Sequence, residues 1–165
     1  PGGGRGDYGQ GSGKGKIPED VWMILHKLVP LPAVEVLITR NEGKEFLLAD
    51  RHDQWWNGWH IPGSYMRRNE SFENVCNRVA RDEVGIGSIT NPSLVGVHKW
   101  TSHPFGAPVS IVLSCQPAGE IIETEKLKFF SSIPPSAIPV HAIFLDFYLS
   151  DFRRRGNSYR ARIIN

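Results

Sequence analysis

Residues 63–86 constrain the fold more than any other part of this chain, because they specify a turn, the start of a helix and its end in one stretch. Pro62 and Gly63 form a turn signal, and Ser71 is a typical N-cap residue. Apolar residues then recur at helical spacing, at Phe72, Val75, Cys76 and Val79. Gly85 is a typical residue to end a helix. The stretch therefore predicts a loop followed by a helix that ends at Gly85.

Short strands and two further helices are predicted around this loop and helix. An acidic first turn after Pro18 predicts a helix that runs to Leu28. The turn signal at residues 41–44 predicts a hairpin. Strands are predicted at residues 33–39, 45–49, 59–61, 94–100, 109–116 and 127–130, and a last helix at about residues 139–150. This order of elements predicts a mixed α/β (α+β) sandwich.

The length of 165 residues fits one domain with a single core. Residues 1–16 contain little except Gly, Ser, Lys and single polar residues, so we expect a flexible glycine-rich tail before one domain at residues 17–165. No apolar run approaches the roughly 20 residues that span a bilayer, which argues against membrane insertion. The formal net charge of +2 comes partly from the tail and the C-terminal arginines, so we expect no nucleic-acid-binding face.

The two cysteines, Cys76 and Cys115, fall in a predicted helix and a predicted strand. The simplest interpretation is two buried thiols in a reducing cytosol. The glycine-rich N-terminus shows no signal peptide, which would be basic and then apolar. We therefore expect a cytoplasmic protein.

Carboxylates and an arginine cluster along the helix predicted within residues 63–86. Glu70 lies just before this helix and Arg78 in its middle, so a salt bridge between them would fix the loop. Asp82 lies four residues after Arg78 on the same helix face, with Glu83 roughly 100° further round. Such carboxylates suit Mg²⁺ or Mn²⁺, which would neutralise a diphosphate and polarise the bond that breaks. The alternative is that these acids are solvated charges on an amphipathic helix.

The pattern resembles the Nudix box, a Gly-rich turn followed by spaced Glu, Arg-Glu, Glu-Glu and Gly residues. In register with this box are Glu70, Arg78, Ala80, Asp82, Glu83, Gly85 and Ile86. Ser64 stands in place of the box glycine, Val79 in place of the Glu after Arg, and Asp82 in place of the first Glu of the terminal pair. The resemblance implies a Nudix fold, with a mixed β-sheet sandwiched between α-helices and with Glu70, Arg78 and Gly85 as structural residues. It also implies binding of a nucleoside diphosphate compound through a divalent metal.

Residues 29–31, 46–51 and 58–63 resemble GDP-mannose mannosyl hydrolase, a Nudix family that also lacks the Glu replaced here by Val79. In that family water attacks the sugar anomeric carbon and releases GDP and free sugar. The resemblance implies one metal ion, held by the backbone carbonyl of Gly63, by Glu83 and by a loop residue near Glu123; Asp82 is a further candidate ligand. It also implies a homodimer.

Other substrate-binding positions follow from the same resemblance. Arg51 matches an arginine that contacts the diphosphate, which suits a guanidinium fork; the alternative is a surface arginine at a strand end. Glu35 stands where the family has an Asp near the substrate, and an acid inside an apolar strand is unusual. Tyr65 replaces an arginine that faces phosphate, and Arg67 or Arg68 could substitute for it.

The general base is a histidine in this family, and Thr124 stands at its position here. Glu123 or Glu125 could accept a proton from water, although a carboxylate of ordinary pKa is a weak base. His98 lies on a predicted strand next to the site and could face the pocket; the alternative is that it packs in the core. Further histidine candidates are His52, His60, His103 and His141.

Three tryptophans lie between Arg51 and the box, at Trp55, Trp56 and Trp59. Indoles stack on bases, and they also fill cores and dimer interfaces. Three functions are therefore open: hydrolysis of the glycosyl bond of a nucleotide sugar, hydrolysis of a P–O bond in a nucleoside diphosphate compound, and ligand binding without catalysis.

Overall fold

The computed structural model describes residues 18–104, 106–155 and 162–164, so the predicted tail at residues 1–16 lies outside the described part. The helices are α1 (Glu19–Leu28), α2 (Phe72–Val79) and α3 (Pro139–Arg155), and a π-helical turn at Ala80–Val84 continues α2. The strands are β1 (Pro32–Arg40), β2 (Glu45–His52), β3 (Asn57–His60), β4 (Gly63–Tyr65), β5 (Ile89–Lys99), β6 (Val109–Pro117), β7 (Leu127–Phe130) and β8 (Arg162–Ile164).

The described strands form one mixed sheet in the order β3-β2-β1-β6-β5-β8, with β4 paired to β1 and β7 paired to β2. Strand β1 runs parallel to β6, and residues 33–39 of β1 are all buried. A parallel strand covered on both faces is expected to be apolar throughout, because neither face meets water. Glu35 breaks this run and marks the place where the sheet opens to a cleft.

The two faces of β1 pack against different helices, because successive side chains of a strand point in opposite directions. Val34 and Val36 belong to a core cluster that includes Val75 and Val79 of α2. Leu37 belongs to a second cluster built on α3, with Phe144, Leu145, Tyr148 and Leu149. The sheet therefore lies between helices, which confirms the predicted α+β sandwich.

The local signals around α2 act as predicted. Ser71 Oγ accepts a hydrogen bond from the backbone N–H of Asn74 at 3.1 Å, and Gly85 follows the π-helical turn in the left-handed region, at φ 78°. Cys76 and Cys115 are buried free thiols. No helix in the described part of the chain is long and apolar enough to cross a membrane.

Several predicted boundaries were wrong. The predicted hairpin of β1 and β2 is present, but its strands pair only near the turn, at Thr39–Phe46 and Arg40–Glu45, because β4 pairs with the earlier part of β1. Strand β4 is too short to show alternation, so the sequence does not reveal it. Strand β3 ends at His60, and α3 continues to Arg155, past the predicted end at residue 150.

Candidate active site

A cleft of about 140 Å³ opens between β1, β3, β4 and the π-helical turn. Five of the residues predicted from the sequence line it together: Glu35, Arg51, Gly63, Tyr65 and Glu83. They come from four different elements, and the pairing of β4 with the start of β1 places Gly63 opposite Glu35. The cleft therefore contains two carboxylates and a guanidinium.

Four other predicted residues do not line this cleft. Asp82 is exposed and forms an ion pair with Arg81, with 3.0 Å between Oδ1 and Nε. Glu123 pairs with Arg40 at 3.1 Å and accepts a hydrogen bond from the backbone of Phe129. Arg67 donates its backbone N–H to Glu70, 2.8 Å away.

His98 is the fourth of these residues and lies behind the cleft. It is buried beside Trp100 and Phe144, with ring centroids 6.3 Å away in both cases. A void of about 10 Å³ is lined by His98, Glu35 and His141 among others. Burial lowers the pKa of His98, so the ring packs in its neutral form.

Glu35 is a buried carboxyl with a fixed position. Ser110 Oγ donates to Glu35 Oε1 at 2.9 Å, and Trp100 Nε1 donates to the same hydroxyl oxygen at 2.7 Å. The other carboxyl oxygen lies so close to Gly63 that a Cβ built there would be 2.0 Å from it. Desolvation is the main reason that the pKa of Glu35 rises to about 7, and the charge of Glu83 adds to the rise.

Glu83 extends from the π-helical turn toward Gly63. Its Oε2 accepts a hydrogen bond from the backbone N–H of Gly63 at 3.3 Å. The residue is exposed at the rim of the cleft, and desolvation is the main reason that its pKa rises to about 7. Both carboxylates thus lie close to one glycine, where both are costly to ionise without a cation.

This donor set fits a hard divalent cation. Glu83 would hold it together with the backbone carbonyl of Gly63, the ligand that the family resemblance implies, and both residues line the cleft. No group of three or more His, Cys, Asp and Glu side chains in the described ranges is arranged to hold a metal. A cation that keeps several waters and binds substrate phosphates, as Mg²⁺ does, needs no larger protein ligand set.

Glu70 and Arg78 form the ion pair expected from the sequence. Arg78 Nε lies 2.5 Å from Glu70 Oε1, and Nη2 lies 2.9 Å from Oε2. The same guanidinium donates to Ser64 Oγ at 3.0 Å and to the carbonyl of Tyr65 at 3.1 Å. Ser64 therefore serves as a hydrogen-bond partner where the box has a glycine, and the loop is fastened to α2 through one buried arginine.

Arg51 is oriented by a neighbour that the sequence does not single out. Arg51 Nε donates to Asp53 Oδ2 at 2.5 Å, and Asp53 Oδ1 accepts the backbone N–H groups of Trp55 and Trp56, each at 2.8 Å. These hydrogen bonds hold the pKa of Asp53 below its ordinary value despite desolvation. Asp53 thus ties the guanidinium to residues 53–56, which we call the tryptophan turn.

Three of the histidine candidates from the sequence, His60, His103 and His141, line the cleft. The Nδ1 atom of His141 accepts the backbone N–H of Ile61 at 3.2 Å, so the neutral ring carries its proton on Nε2. His60 Nδ1 is buried and has no hydrogen-bond partner among the described residues. Burial lowers the pKa of His60 to about 4 and also lowers that of His141 well below its ordinary value, so both rings are neutral polar groups at physiological pH.

We expect Glu35→Gln to remove a pH dependence of stability in the metal-free protein. Because the folded pKa of about 7 exceeds the ordinary 4.5, the folded state holds this proton to higher pH than the unfolded state. Wild-type stability should therefore fall as pH rises from about 4.5 to 7, by about 2–3 kcal/mol from this group. Urea unfolding in EDTA at about pH 5 and pH 8 measures the change.

The Glu35→Gln variant should be the more stable protein at the higher pH. Glu73→Gln, which changes an exposed carboxylate in the first turn of α2, is the matched control and should keep the wild-type slope. Equal pH slopes for Glu35→Gln and the wild type would show that Glu35 is ionised in the fold at neutral pH.

Comparison with known proteins agrees with this geometry. The fold is similar to a NUDIX hydrolase from Nitrosomonas europaea, with a TM-score of 0.63, 21% identity and coverage of 85% of this chain and 81% of that one. It is also similar to an ADP-ribose pyrophosphatase from Streptococcus suis 89-1591, with a TM-score of 0.59, 17% identity and coverage of 82% and 99%. At these identities the structures show the fold alone.

A curated relative is the low-salt glycan biosynthesis protein Agl8 of Haloferax volcanii. It is 32% identical over 81 residues, which are 49% of this chain and 51% of the relative. This chain therefore spans about half the length of that relative. The model of the NUDIX domain matches residues 29–146, which include β1 to β7 and the complete cleft. With more than half of its length matched, the chain belongs to the NUDIX domain family.

Proposed function

We propose that the protein is a divalent-metal-dependent hydrolase of a nucleotide sugar that cleaves the glycosyl bond and releases a nucleoside diphosphate and free sugar. One observation supports this most. Among the described residues that line the cleft, Glu83 is the one carboxylate that α2 and its π-helical turn contribute. Val79 is 1% exposed in the core, and Asp82 is exposed beside Arg81.

A single helix carboxylate favours attack on carbon. Hydrolysis at phosphorus by several metal ions needs several carboxylates to hold those ions, and this cleft offers Glu83 with Glu35. Glu35 is fixed through Oε1 to Ser110, which limits its freedom to act as a second ligand. The metal, Mg²⁺ or Mn²⁺, would neutralise the charge of the diphosphate when bound.

The chain's own residues then have distinct tasks. Arg51 supports the departing nucleoside diphosphate, because Asp53 holds its Nε and the side chain lines the cleft. Glu35 accepts a proton from the attacking water, since it is the second carboxyl of the cleft. His141 lines the same space, and its Nε2–H orients the substrate. Tyr65 forms part of the wall, with its hydroxyl hydrogen-bonded to His26 Nε2 at 2.9 Å.

The relative from Haloferax volcanii supports a substrate that carries a sugar, since its name assigns it to glycan biosynthesis. The resemblance of residues 46–51 and 58–63 to GDP-mannose mannosyl hydrolase supports GDP-mannose as the first compound to test. The homodimer that this resemblance implies stays a prediction.

The test is phosphorus NMR of the purified protein with Mg²⁺ and a panel of GDP- and UDP-sugars in ¹⁸O-labelled water. Attack on carbon gives a nucleoside diphosphate that contains no ¹⁸O, which is the expected result. A nucleoside diphosphate labelled on its β-phosphate, or a monophosphate with sugar phosphate, would show attack on phosphorus and overturn the proposal. Binding without any product across the panel would overturn hydrolysis of these sugars and favour a ligand-binding domain.

A further inference from the structure

A second cleft, of about 460 Å³, adjoins the first. The two clefts share the lining residues Trp56, His103 and Ile138, so they lie side by side. Trp55 and Trp56 of the tryptophan turn line the second cleft. Glu35 and Glu83 line the first cleft but not the second. No proposed catalytic residue lines the second cleft.

The first cleft is too small for a whole nucleotide sugar. Ligand clefts typically have volumes of about 300–1,000 Å³, and the first has about 140 Å³. Under the proposed function the anomeric carbon of the sugar must lie beside Glu35 and Gly63. The nucleobase is attached at the other end of the diphosphate, and it therefore has to lie outside the first cleft, past Arg51.

The lining of the second cleft suits a flat, uncharged ring. Trp55, Trp56, Pro104 and Val140 supply aromatic and apolar surface, and the described lining includes no Asp, Glu, Lys or Arg. Trp56 forms a fixed wall, because Trp100 and His103 pack edge-on to it with ring centroids 5.5 and 5.4 Å away. Asn57 and Ser102 add hydrogen-bonding groups at the edge.

Trp55 presents part of its indole surface in this cleft. The residue is 45% exposed, so apolar ring surface faces solvent where a base could cover it. Asp53 fixes the backbone of Trp55 and also binds Arg51, so one carboxylate sets the spacing between the indole and the diphosphate anchor. The turn thus fixes the positions of a stacking surface and a phosphate contact relative to each other.

We infer that the second cleft is the nucleobase subsite and that Trp55 is the ring on which the base stacks. The inference rests on the proposed nucleotide substrate and adds the placement of its base. Stacking of a base on an aromatic ring accounts for about 5- to 150-fold in affinity when the ring is removed.

The experiment compares two ligands that share a diphosphate, GDP and inorganic pyrophosphate, by calorimetric titration in Mg²⁺. Trp55→Ala should weaken GDP binding about tenfold and leave pyrophosphate binding within about twofold of the wild type. Trp55→Phe should retain most of the GDP affinity, because it keeps a stacking ring. Phe147→Ala removes an aromatic side chain of α3 that is 49% exposed and lines neither cleft, so both affinities should stay unchanged.

Wild-type GDP affinity in Trp55→Ala would overturn the inference. An equal loss for GDP and pyrophosphate would also overturn it, because Trp55 would then act through the turn that holds Arg51. Neither result bears on the products formed from nucleotide sugars. The ¹⁸O experiment on the wild type tests the proposed function separately, so failure of the subsite inference can be distinguished from failure of that function.

Discussion

Glu83→Gln is expected to abolish Mg²⁺ binding and to lower kcat on nucleotide sugars by about 100-fold or more. The substitution removes the charge of the one α2-side carboxylate that lines the described cleft but keeps an oxygen that can accept the N–H of Gly63. The fold should therefore persist, since the variant also removes a group that is costly to ionise. Calorimetric Mg²⁺ titration and steady-state kinetics measure the two effects.

The matched control for this experiment is Glu73→Gln, an exposed carboxylate on the same helix. It should bind Mg²⁺ and turn over substrate like the wild type. Unchanged turnover in Glu83→Gln would exclude this residue as the metal ligand. Asp82 is exposed and paired with Arg81, so Asp82→Asn should have little effect. If Asp82→Asn lost as much Mg²⁺ affinity and turnover as Glu83→Gln, both carboxylates would serve the metal.

Gly63→Ala is expected to lower both stability and activity. The new Cβ would lie 2.0 Å from Glu35 Oε2 and 2.8 Å from the backbone carbonyl of Val34, so the carboxyl must leave its place. Overpacking of this kind costs about 1–3 kcal/mol, and the moved carboxyl gives up the Ser110 hydrogen bond as well. Misplacement of a group at the reacting centre should lower kcat/KM by about 100-fold.

Urea unfolding and kcat/KM measure this result, with Gly119→Ala as the control. A Cβ at Gly119 meets nothing within 4 Å, so that variant should resemble the wild type. Combining Gly63→Ala with Glu35→Ala should recover part of the stability, since the shorter side chain removes the contact with the carboxyl. Wild-type stability in the Gly63→Ala single variant would show that Glu35 moves aside at no cost.

Local signals in the sequence predict those elements whose formation depends mainly on neighbouring residues. The cap at Ser71, the end at Gly85 and strand β7 at residues 127–130 lie where predicted. The three-residue strand β4 exists because it pairs with β1, and it has no periodicity of its own. Its absence from the sequence-based interpretation follows from this dependence on a partner strand.

The candidate site was predictable where the family resemblance supplied it, as for Glu35, Arg51 and Gly63. The groups that hold these residues come from distant parts of the chain. Ser110, on β6, meets Glu35 only because β6 runs parallel to β1. His141 accepts a hydrogen bond from Ile61, 80 residues earlier, and no pattern in the sequence connects the two.

Whether Asp82 or Glu83 lines the cleft depends on the π-helical turn at Ala80–Val84. Gly85, which ends this turn, donates its backbone N–H to the carbonyl of Ala80. Such a turn contains one residue more than an α-helical turn. The number of residues in the turn therefore sets the direction of the side chains within it. Deleting one residue there would rotate the following side chain by roughly 100°. In evolutionary terms the proposed metal ligand is therefore sensitive to insertions and deletions as well as to substitutions. A lineage that lost one residue of this turn before Glu83 would move that carboxylate out of its present position in a single step, with no acidic residue substituted.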